Sequence, residues 1–277
     1  PGGRAGVIRE AGFSLDNGPT VLTMPNLLAE AFEAAGADMA DHVEVLPVDP
    51  MYRAVYADGS TLMVRHGREA MTEEIRQFAN GTEAEAFGRF CDWLERLYRA
   101  EMPNFIDANL DSVVDLVKPW RAGLELLRLG GFGKLDKKVA SFFSDQRLQQ
   151  IFSFQSMYAG LAPYEALALY AVITYMDSVE GVFVPRGGMH QMAAGLAEAV
   201  VRAGVSIRYD SPVTRILRGG SGAVSGVEIA GEERLAADAV VCNADLPVAY
   251  RTMLGGVDAP RVARRGKYSP SCVLWVA

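Results

Sequence analysis

The spacing of hydrophobic and polar residues changes along the chain, and the first 70 residues mix helix-like and strand-like patterns. Asn26 to Ala35 has helical spacing and stops at Gly36, which predicts a short helix. Asp58-Gly59 predicts a hairpin turn, because glycine tolerates the positive φ that such a turn needs. Short apolar runs on either side predict strands near Val43–Val48, Tyr52–Tyr56 and Leu62–Val64.

The pattern of residues 71–180 is mostly helical. Thr82 followed by Glu85 predicts a capping box at the start of a helix. One face of that helix then carries apolar residues at helical spacing, namely Phe87, Phe90, Cys91, Leu94, Leu97 and Tyr98. Leu116 to Leu129 predicts an amphipathic helix, and Leu148 to Met176 is a long apolar stretch interrupted near Gly160 and Pro163.

Residues 181–277 return to a mixed α/β pattern. Met189 to Ala203 predicts a helix closed by Gly204, with Met192, Leu196, Ala199 and Val200 on one side. Four strands are predicted after it, at Val205–Tyr209, Val213–Leu217, Val224–Ile229 and Ala239–Cys242. A helical block between two α/β segments predicts one split domain that carries a second, inserted domain.

Composition and charge narrow the class of protein. The chain has 277 residues, 50% hydrophobic and 22% charged, which indicates a globular fold. A formal net charge of −7 disfavours nucleic acid as a partner. The cysteines Cys91, Cys242 and Cys272 form no CxxC pair, so we expect reduced thiols in a cytoplasmic protein. The chain starts at Pro1 without a methionine and ends in an apolar run, so we expect an internal piece of a longer protein.

Three further sequence signals are better explained by ordinary structural roles than by binding or catalysis. Gly130 to Lys134 lacks the spacing of a phosphate-binding loop and is expected to connect helices. His42, His66 and His190 have no metal-ligand spacing, so no metal site is predicted. Asn80-Gly81-Thr82 matches a glycosylation sequon but is interpreted as a turn into the Thr82 cap.

The segment Pro1-Gly2-Gly3-Arg4 carries the first candidate chemistry. A pair of glycines lets the backbone approach a ligand closely, and an arginine beside it can pair with phosphate oxygens. On these four residues alone an ordinary turn is the better interpretation. The segment Gly12 to Thr20, GFSLDNGPT, follows at a fixed distance and changes that balance.

Together these two segments resemble the sequence after the first βαβ unit of flavin amine oxidases and phytoene desaturases. Phe152 to Pro163, FSFQSMYAGLAP, and Gly181 to Met189, GVFVPRGGM, resemble stretches of the carotenoid desaturases in particular. Val213 to Ile216 and Cys242 to Asp245 are similar to later strands of their cofactor domain. The chain is therefore identified as a member of the phytoene desaturase family.

The resemblance implies an α/β fold: an FAD/NAD(P)-binding, Rossmann-like domain, here incomplete, with an inserted α+β substrate domain. Residues 1–25 and 181–277 would belong to the FAD-binding domain, with a return to the substrate domain within 181–277. The largely helical residues 26–180 would belong to the substrate domain. The family's GxGxxG loop would precede Pro1, and a second flavin-contacting segment would follow Ala277. The implied cofactor is FAD, and its expected contacts are Gly2, Gly3, Arg4, Gly18, Pro19, Thr20, Val213, Asn243 and Ala244.

The implied activity is desaturation of a carotene such as phytoene in carotenoid biosynthesis, with hydride transfer to FAD and loss of a proton. Another carotene reaction on the same scaffold (isomerase, ketolase or saturase) and a non-catalytic, apolar-ligand-binding fragment remain open. The resemblance places Asp145 and Arg147 near the flavin end of the substrate cavity. Asp145 could accept the proton, tuned by Arg147, although a residue that starts a helix is the stronger alternative.

A carotene partitions into lipid, so the resemblance also implies a peripheral contact with a membrane from the cytoplasmic side. Leu116 to Phe132 is the candidate surface, with Trp120 and Phe132 at the lipid interface. Nearby cations would meet anionic head groups, namely Lys118, Arg121, Arg128 and Lys134. A core-facing helix with a solvated basic side is an equal alternative.

Overall fold

A computed structural model describes residues 1–230, 233–256 and 259–266 of the chain. The chain divides into two compact units, one of residues 1–204 and a second that begins at Val205. The longer helices of the first unit are α1 (Pro25–Ala34), α2 (Arg68–Phe78), α3 (Gly81–Glu101) and α9 (His190–Arg202). Shorter ones are α4 (Val113–Val117), α5 (Trp120–Arg128), α6 (Leu135–Ala140), α7 (Gln146–Ile151) and α8 (Val172–Thr174).

Six short strands of the first unit form three antiparallel pairs. They are β1 (Val7–Glu10) with β2 (Phe13–Asp16), β3 (Val45–Pro47) with β6 (Phe183–Pro185), and β4 (Tyr52–Val55) with β5 (Thr61–Val64). The β4–β5 hairpin confirms the turn predicted at Asp58-Gly59, where Gly59 has φ +83°. The predicted helix after Asn26 is likewise confirmed by α1, which ends just before Gly36.

Helix α3 forms the centre of the core because its apolar residues recur on one face. Phe87, Phe90, Cys91, Leu94 and Leu97 are all buried, as their spacing predicted. The predicted capping box at Thr82 is wrong. Asn80 caps the helix instead, and its side chain accepts a hydrogen bond from the Glu83 N–H at 2.9 Å. The first turn therefore starts two residues earlier, because the asparagine oxygen satisfies an N–H that the helix leaves free.

Aromatic rings join α3 to the residues around α7. The ring centroid of Phe152 lies 5.2 Å from those of Phe87 and Phe143 and 5.6 Å from that of Phe90. All four side chains are buried. Stacked and edge-to-face rings at such distances add to the stabilisation that burial provides, so this cluster fixes α3 against the segment that carries α7.

Two of the predicted helices are divided. The helix expected over Leu116–Leu129 consists of α4 and α5, with Pro119 at the N-cap position of α5. The apolar stretch after Leu148 breaks where Gly160 adopts φ +75° and Pro163 follows. Beyond α7 the chain forms 3₁₀ turns at Phe154–Ala159 and Ala168–Ala171 and a π-helical turn at Tyr175–Val179.

The second unit contains an antiparallel sheet of three strands in chain order, β7 (Val213–Arg218), β8 (Val224–Ile229) and β9 (Glu233–Ala236). A short helix α10 (Leu246–Val248), a π-helical turn at Ala249–Met253 and α11 (Arg261–Arg265) follow. The strands predicted at Val205–Tyr209 and Ala239–Cys242 are wrong. In the described part of the chain no strand pairs with either segment, and a strand forms only when its backbone groups find such partners.

Strand β6 joins residues that are far apart in the chain. Phe183 exchanges two backbone hydrogen bonds with Leu22, at 2.7 and 2.8 Å, on one side. On its other side it pairs with Pro47 of β3. The chain thus leaves this point near residue 22 and returns to it near residue 183, as an inserted segment does. The predicted boundaries at 25 and 180 stay a prediction.

None of the helices in the described ranges is long and apolar enough to cross a membrane. Those ranges also show strand pairing only of the antiparallel kind.

Glu101, the last residue of α3, is an ionisable residue buried in the protein interior. It is 4% exposed, and its Oε1 atom has no hydrogen-bond partner among the described residues. Burial raises the pKa of this carboxyl to about 8. The folded state therefore holds a proton that the unfolded chain releases, so stability falls as the pH rises from 4.5 to about 8.

Replacing Glu101 by glutamine should remove this pH dependence. Between about pH 5 and about pH 7 the variant should gain stability over the parent, with a slope of up to about 1.4 kcal/mol per pH unit. Urea unfolding of both proteins at several pH values measures the difference. Glu95→Gln, at an exposed position of the same helix, is the control and should leave the slope of the parent intact.

Candidate functional site

The first candidate site is the tight fold of Gly2–Gly6, which we call the N-terminal ribbon. Gly2 and Gly3 have φ angles of +103° and +49°, a region that favours glycine. The Ala5 N–H donates to the Gly2 carbonyl at 2.7 Å, and the Asn17 N–H donates to the Gly6 carbonyl at 3.1 Å. The ribbon therefore turns back on itself and lies along the residues that follow β2.

Gly18 lets these two segments touch. A Cβ atom at Gly18 would overlap the Arg4 carbonyl oxygen, so a larger residue would push the ribbon away. A Cβ at Gly3, in contrast, would meet nothing within 4 Å, so the backbone there is open to a ligand. The structure thus brings Gly2, Gly3, Arg4 and Gly18 together, with Pro19 and Thr20 next in the chain. Their role in holding a cofactor stays a prediction.

The second candidate site is a cavity of about 270 Å³ in the second unit. Val213 from β7 meets Asn243 and Ala244 there, although about 30 residues separate them in the chain. The other lining residues are mostly apolar, namely Ile216, Val227, Val240, Val241, Cys242 and Met253. Apolar walls with one amide suit a flat aromatic ring that also needs a hydrogen bond. The three predicted residues therefore line one cavity of this kind.

A larger open cavity of about 440 Å³ in the same unit is lined by Arg215, Arg218 and Arg234 among others. Arg215 and Arg234 both pair with Glu228, at 3.7 and 3.3 Å. Glu228 thus links two of the arginines in an ion network on this surface.

Asp145 and Arg147 form the third candidate site, at the start of α7. The Asp145 carboxylate caps the helix by accepting the Arg147 N–H at 2.8 Å. It also receives Nε and Nη2 of Arg147 at 3.1 and 2.6 Å, a two-pronged ion pair. The helix-start alternative is therefore present in the structure, whereas a catalytic role for either residue stays a prediction.

Further contacts hold the guanidinium of Arg147 in place. It lies 4.2 Å from the ring centroid of Phe78 and donates to the Ser60 hydroxyl at 3.1 Å. Hydrogen bonding from Arg147 keeps the pKa of Asp145 below its usual value. At neutral pH the carboxylate is ionised and can accept a proton, although the same ion pair makes it a weaker base.

Sequence analysis missed Glu83, which positions this site from α3. Its buried Oε1 atom accepts the backbone N–H groups of Ser144 and Asp145, at 3.0 and 3.1 Å. The carboxylate thereby fixes the turn that presents Asp145. An acidic residue on the buried face of an apolar helix was the available signal, but its partners are 61 and 62 residues away.

Asp177 was missed as well, in the π-helical turn after α8. Its buried carboxylate accepts hydrogen bonds from Ser178, Tyr158 and Tyr52, at 2.8, 3.3 and 3.4 Å. Burial raises the pKa of Asp177, and in the part of the chain that the structure describes its carboxylate meets hydroxyl groups instead of an arginine such as Arg147 beside Asp145. The signal was a lone aspartate within an apolar stretch, and π-helical turns often occur at functional sites.

The histidines serve separate local contacts. His42 Nδ1 lies 3.4 Å from Glu198, His66 meets the edge of Phe183, and His190 Nδ1 lies 2.9 Å from the Ala5 carbonyl oxygen. Across the described residues, no cluster of three or more histidine, cysteine, aspartate or glutamate side chains is placed to hold a metal ion.

Comparisons with known proteins bear on these sites. Residues 1–277 match the family described as flavin containing amine oxidoreductase. The chain is 47% identical over 274 residues to a phytoene dehydrogenase of Streptomyces griseus, covering 99% of this chain and 53% of that protein. It is 32% identical over 257 residues to a zeta-carotene-forming phytoene desaturase of Myxococcus xanthus, covering 92% and 48%. The chain thus spans about half the length of these relatives.

A solved structure of a putrescine oxidase triple mutant is also similar in fold. It matches with a TM-score of 0.56 at 15% identity, over 95% of this chain and 54% of that one. This likeness supports the α/β cofactor-domain fold expected from the sequence and says nothing about the ligand. Because about half of that structure is matched, the cofactor domain is represented in part, as predicted.

Replacing Gly18 by alanine tests the contact between the ribbon and the segment after β2. The new methyl group should overlap the Arg4 carbonyl and destabilise the protein by about 1–3 kcal/mol. Gly123→Ala in α5 is the matched control: its Cβ meets nothing within 4 Å, and it should stabilise the helix by up to about 1 kcal/mol. Urea unfolding measures both, and equal effects of the two changes would show that the ribbon is loosely packed.

Proposed function

The chain belongs to the flavin containing amine oxidoreductase family, and from that premise we propose that the protein containing it desaturates a carotene such as phytoene. The observation that carries the proposal is the 47% identity to a phytoene dehydrogenase over 99% of this chain. Residues 1–25 and 181–277 are proposed to belong to the FAD-binding domain, and residues 26–180 to the substrate domain.

The cofactor proposed is FAD, and two groups of residues suit it. The open backbone at Gly3 and the Arg4 side chain suit an anionic phosphate, because glycine admits close approach and arginine pairs with phosphate oxygens. The apolar cavity at Val213, Asn243 and Ala244 suits an aromatic ring. Bound FAD supplies the hydride acceptor of the reaction.

A carotene offers almost no polar atoms, so the protein must bind it by apolar burial rather than by directional hydrogen bonds. The FSFQSMYAGLAP stretch supports such a role, because Met157 and Tyr158 are each 62% exposed. Two large side chains that are exposed next to each other offer an apolar surface that suits contact with an apolar ligand. We assign this stretch to the wall of the carotene site.

The direct test is to purify the protein, record its visible absorbance and incubate it with phytoene. Flavin absorbance and products that have lost two hydrogen atoms per new double bond are expected by mass spectrometry. A product of unchanged mass would indicate an isomerase, added oxygen a ketolase, and added hydrogen a saturase. A colourless protein that binds carotene without converting it would favour the non-catalytic alternative.

Asp145 is proposed to accept the proton that desaturation releases, with Arg147 as the residue that positions it. The support is the ionised carboxylate, oriented by the Glu83 contact and by the ion pair. The Asp145 side chain is 18% exposed, so its carboxylate remains accessible at the surface.

Asp145→Asn should slow desaturation by about 100-fold or more, because general-base groups contribute about 100- to 10,000-fold. Stability should change little, since asparagine also caps helices well. Single-turnover rates and urea unfolding separate the two effects. A rate within about twofold of the parent would leave Asp145 with its capping role alone.

Peripheral contact with a membrane is proposed for the surface of α4, α5 and Phe132, from the cytoplasmic side. Val117, Trp120 and Leu127 are 66%, 62% and 61% exposed, and Phe132 is 52% exposed. Lys118, whose side chain is 69% exposed, lies among them. Exposed apolar residues interleaved with cations are typical of a helix at a lipid interface.

Trp120→Ala combined with Phe132→Ser should weaken flotation with anionic liposomes, because two interfacial anchors are lost. Binding of the parent should also weaken at high salt, since each cation near the surface contributes about 1 kcal/mol. Val55→Ser, at an apolar position exposed by 65% on β4, is the control and should float like the parent. Equal flotation of all three proteins would exclude this surface as the contact.

A further inference from the structure

The carboxylate of Asp16, the last residue of β2, lies at the start of α9. Its Oδ2 atom accepts the Met189 N–H at 2.8 Å, and its Oδ1 atom accepts the His190 N–H at 3.1 Å. A helix of 13 residues leaves its first N–H groups free and presents positive potential there. Asp16 satisfies two of those groups, so the chain itself supplies the anion at this helix start.

His190, the first residue of α9, reaches back to the N-terminal ribbon. Its Nδ1 atom lies 2.9 Å from the Ala5 carbonyl oxygen. A carbonyl can only accept a hydrogen bond, so Nδ1 carries the proton. The ring also packs against Gly2, where a Cβ atom would lie 2.9 Å from Nδ1. The imidazole thus contacts the ribbon at both ends of its first turn.

The turn before α9 is shaped for this contact. Gly188 has φ +100°, and a Cβ there would lie 2.6 Å from Asp16 Oδ2. Glycine is therefore needed for both the backbone conformation and the approach of the carboxylate. Three segments consequently meet at one point, namely the ribbon, the residues at the end of β2 and the turn that begins α9.

We infer that Asp16 and His190 form a clamp that holds the ribbon in the shape that contacts the phosphate of the flavin. His190 is a positioning residue in this role, since it acts through the Ala5 carbonyl. The inference rests on the proposed function, because it assumes that the ribbon meets FAD. Its physical basis is preorganisation: a ribbon that is already ordered loses less conformational entropy when the cofactor binds.

The Asp16 carboxylate of the clamp also occupies the start of α9, where a phosphate could otherwise bind. A free helix start is a ready site for an anion. At α9 that position holds the Asp16 carboxylate, which would repel a second anion. The contact to phosphate therefore comes from the ribbon and Arg4, and the clamp matters to the cofactor only through the shape that it gives them.

The experiment compares His190→Ala, His190→Asn and His190→Gln in the protein that contains this chain. Asparagine places an N–H near the position of Nδ1, whereas glutamine reaches the position of Nε2. Hydrogen exchange of the flavin-free protein reports order at the Ala5 and Asn17 amides, and titration with FAD reports affinity. In His190→Ala we expect faster exchange at both amides and FAD affinity lowered about tenfold.

His190→Asn should restore slow exchange and affinity, and His190→Gln should not. His42→Ala is the matched control, because His42 also contacts α9 through Glu198 but lies away from the ribbon. It should leave exchange at Ala5 unchanged. Slow exchange in His190→Ala, or failure of asparagine to restore it, would overturn the clamp.

Two outcomes separate the clamp from the function on which it rests. Faster exchange in His190→Ala with unchanged FAD affinity would overturn the inference while leaving the flavoprotein proposal intact. A parent protein that binds no FAD would instead overturn the proposed function, and the exchange data would still show whether the clamp exists.

Discussion

The short strand at Phe183 carries the connection on which the first unit depends. Phe183 exchanges backbone hydrogen bonds with Leu22 on one side, and on the other side β6 pairs with β3, where Pro47 lies opposite Phe183. Because both edges of the strand are hydrogen-bonded, the chain leaves this place and returns to it after more than 130 residues. The ribbon precedes this junction in the chain and α9 follows it, so the junction brings the two within reach of each other.

Local patterns predicted the elements whose partners lie nearby in the chain. The buried face of α3, the β4–β5 hairpin and the β7–β8 pair follow from spacing and turn residues alone. The segment Val205–Tyr209 has the composition of a strand, but a strand also needs a neighbour. Its Arg208 instead forms an ion pair with Glu233. The cap at Asn80 was missed because Thr82 offers equally good capping chemistry two residues later.

The candidate sites divide in the same way. Gly2, Gly3 and Gly18 were expected from the resemblance, because an ordinary turn is the better interpretation of the four residues Pro1 to Arg4 alone. The meeting of Val213 with Asn243 was expected only from resemblance. Glu83 and Asp177 were missed, because an acidic residue in an apolar stretch does not show which partners it meets elsewhere in the chain.

Carboxyl groups in the helical region show how the same chemical group takes opposite protonation preferences. Asp145 lies beside a guanidinium and favours the ionised form, whereas Asp177 has only hydroxyl donors around it. Glu101 is buried, its Oε1 atom has no hydrogen-bond partner among the described residues, and the carboxyl favours the neutral form. The helical region thus contains carboxyl groups with lowered pKa values and others with raised pKa values.

The contact of Asp16 with Met189 spans 173 residues, and this separation has a consequence for the order of folding during synthesis. The ribbon is synthesised before α9, so its clamp is complete only after α9 has been made. Domains made from the N-terminus usually fold as units as they appear. The contacts between the ribbon and α9 therefore form only after the 173-residue separation between Asp16 and Met189 has been synthesised.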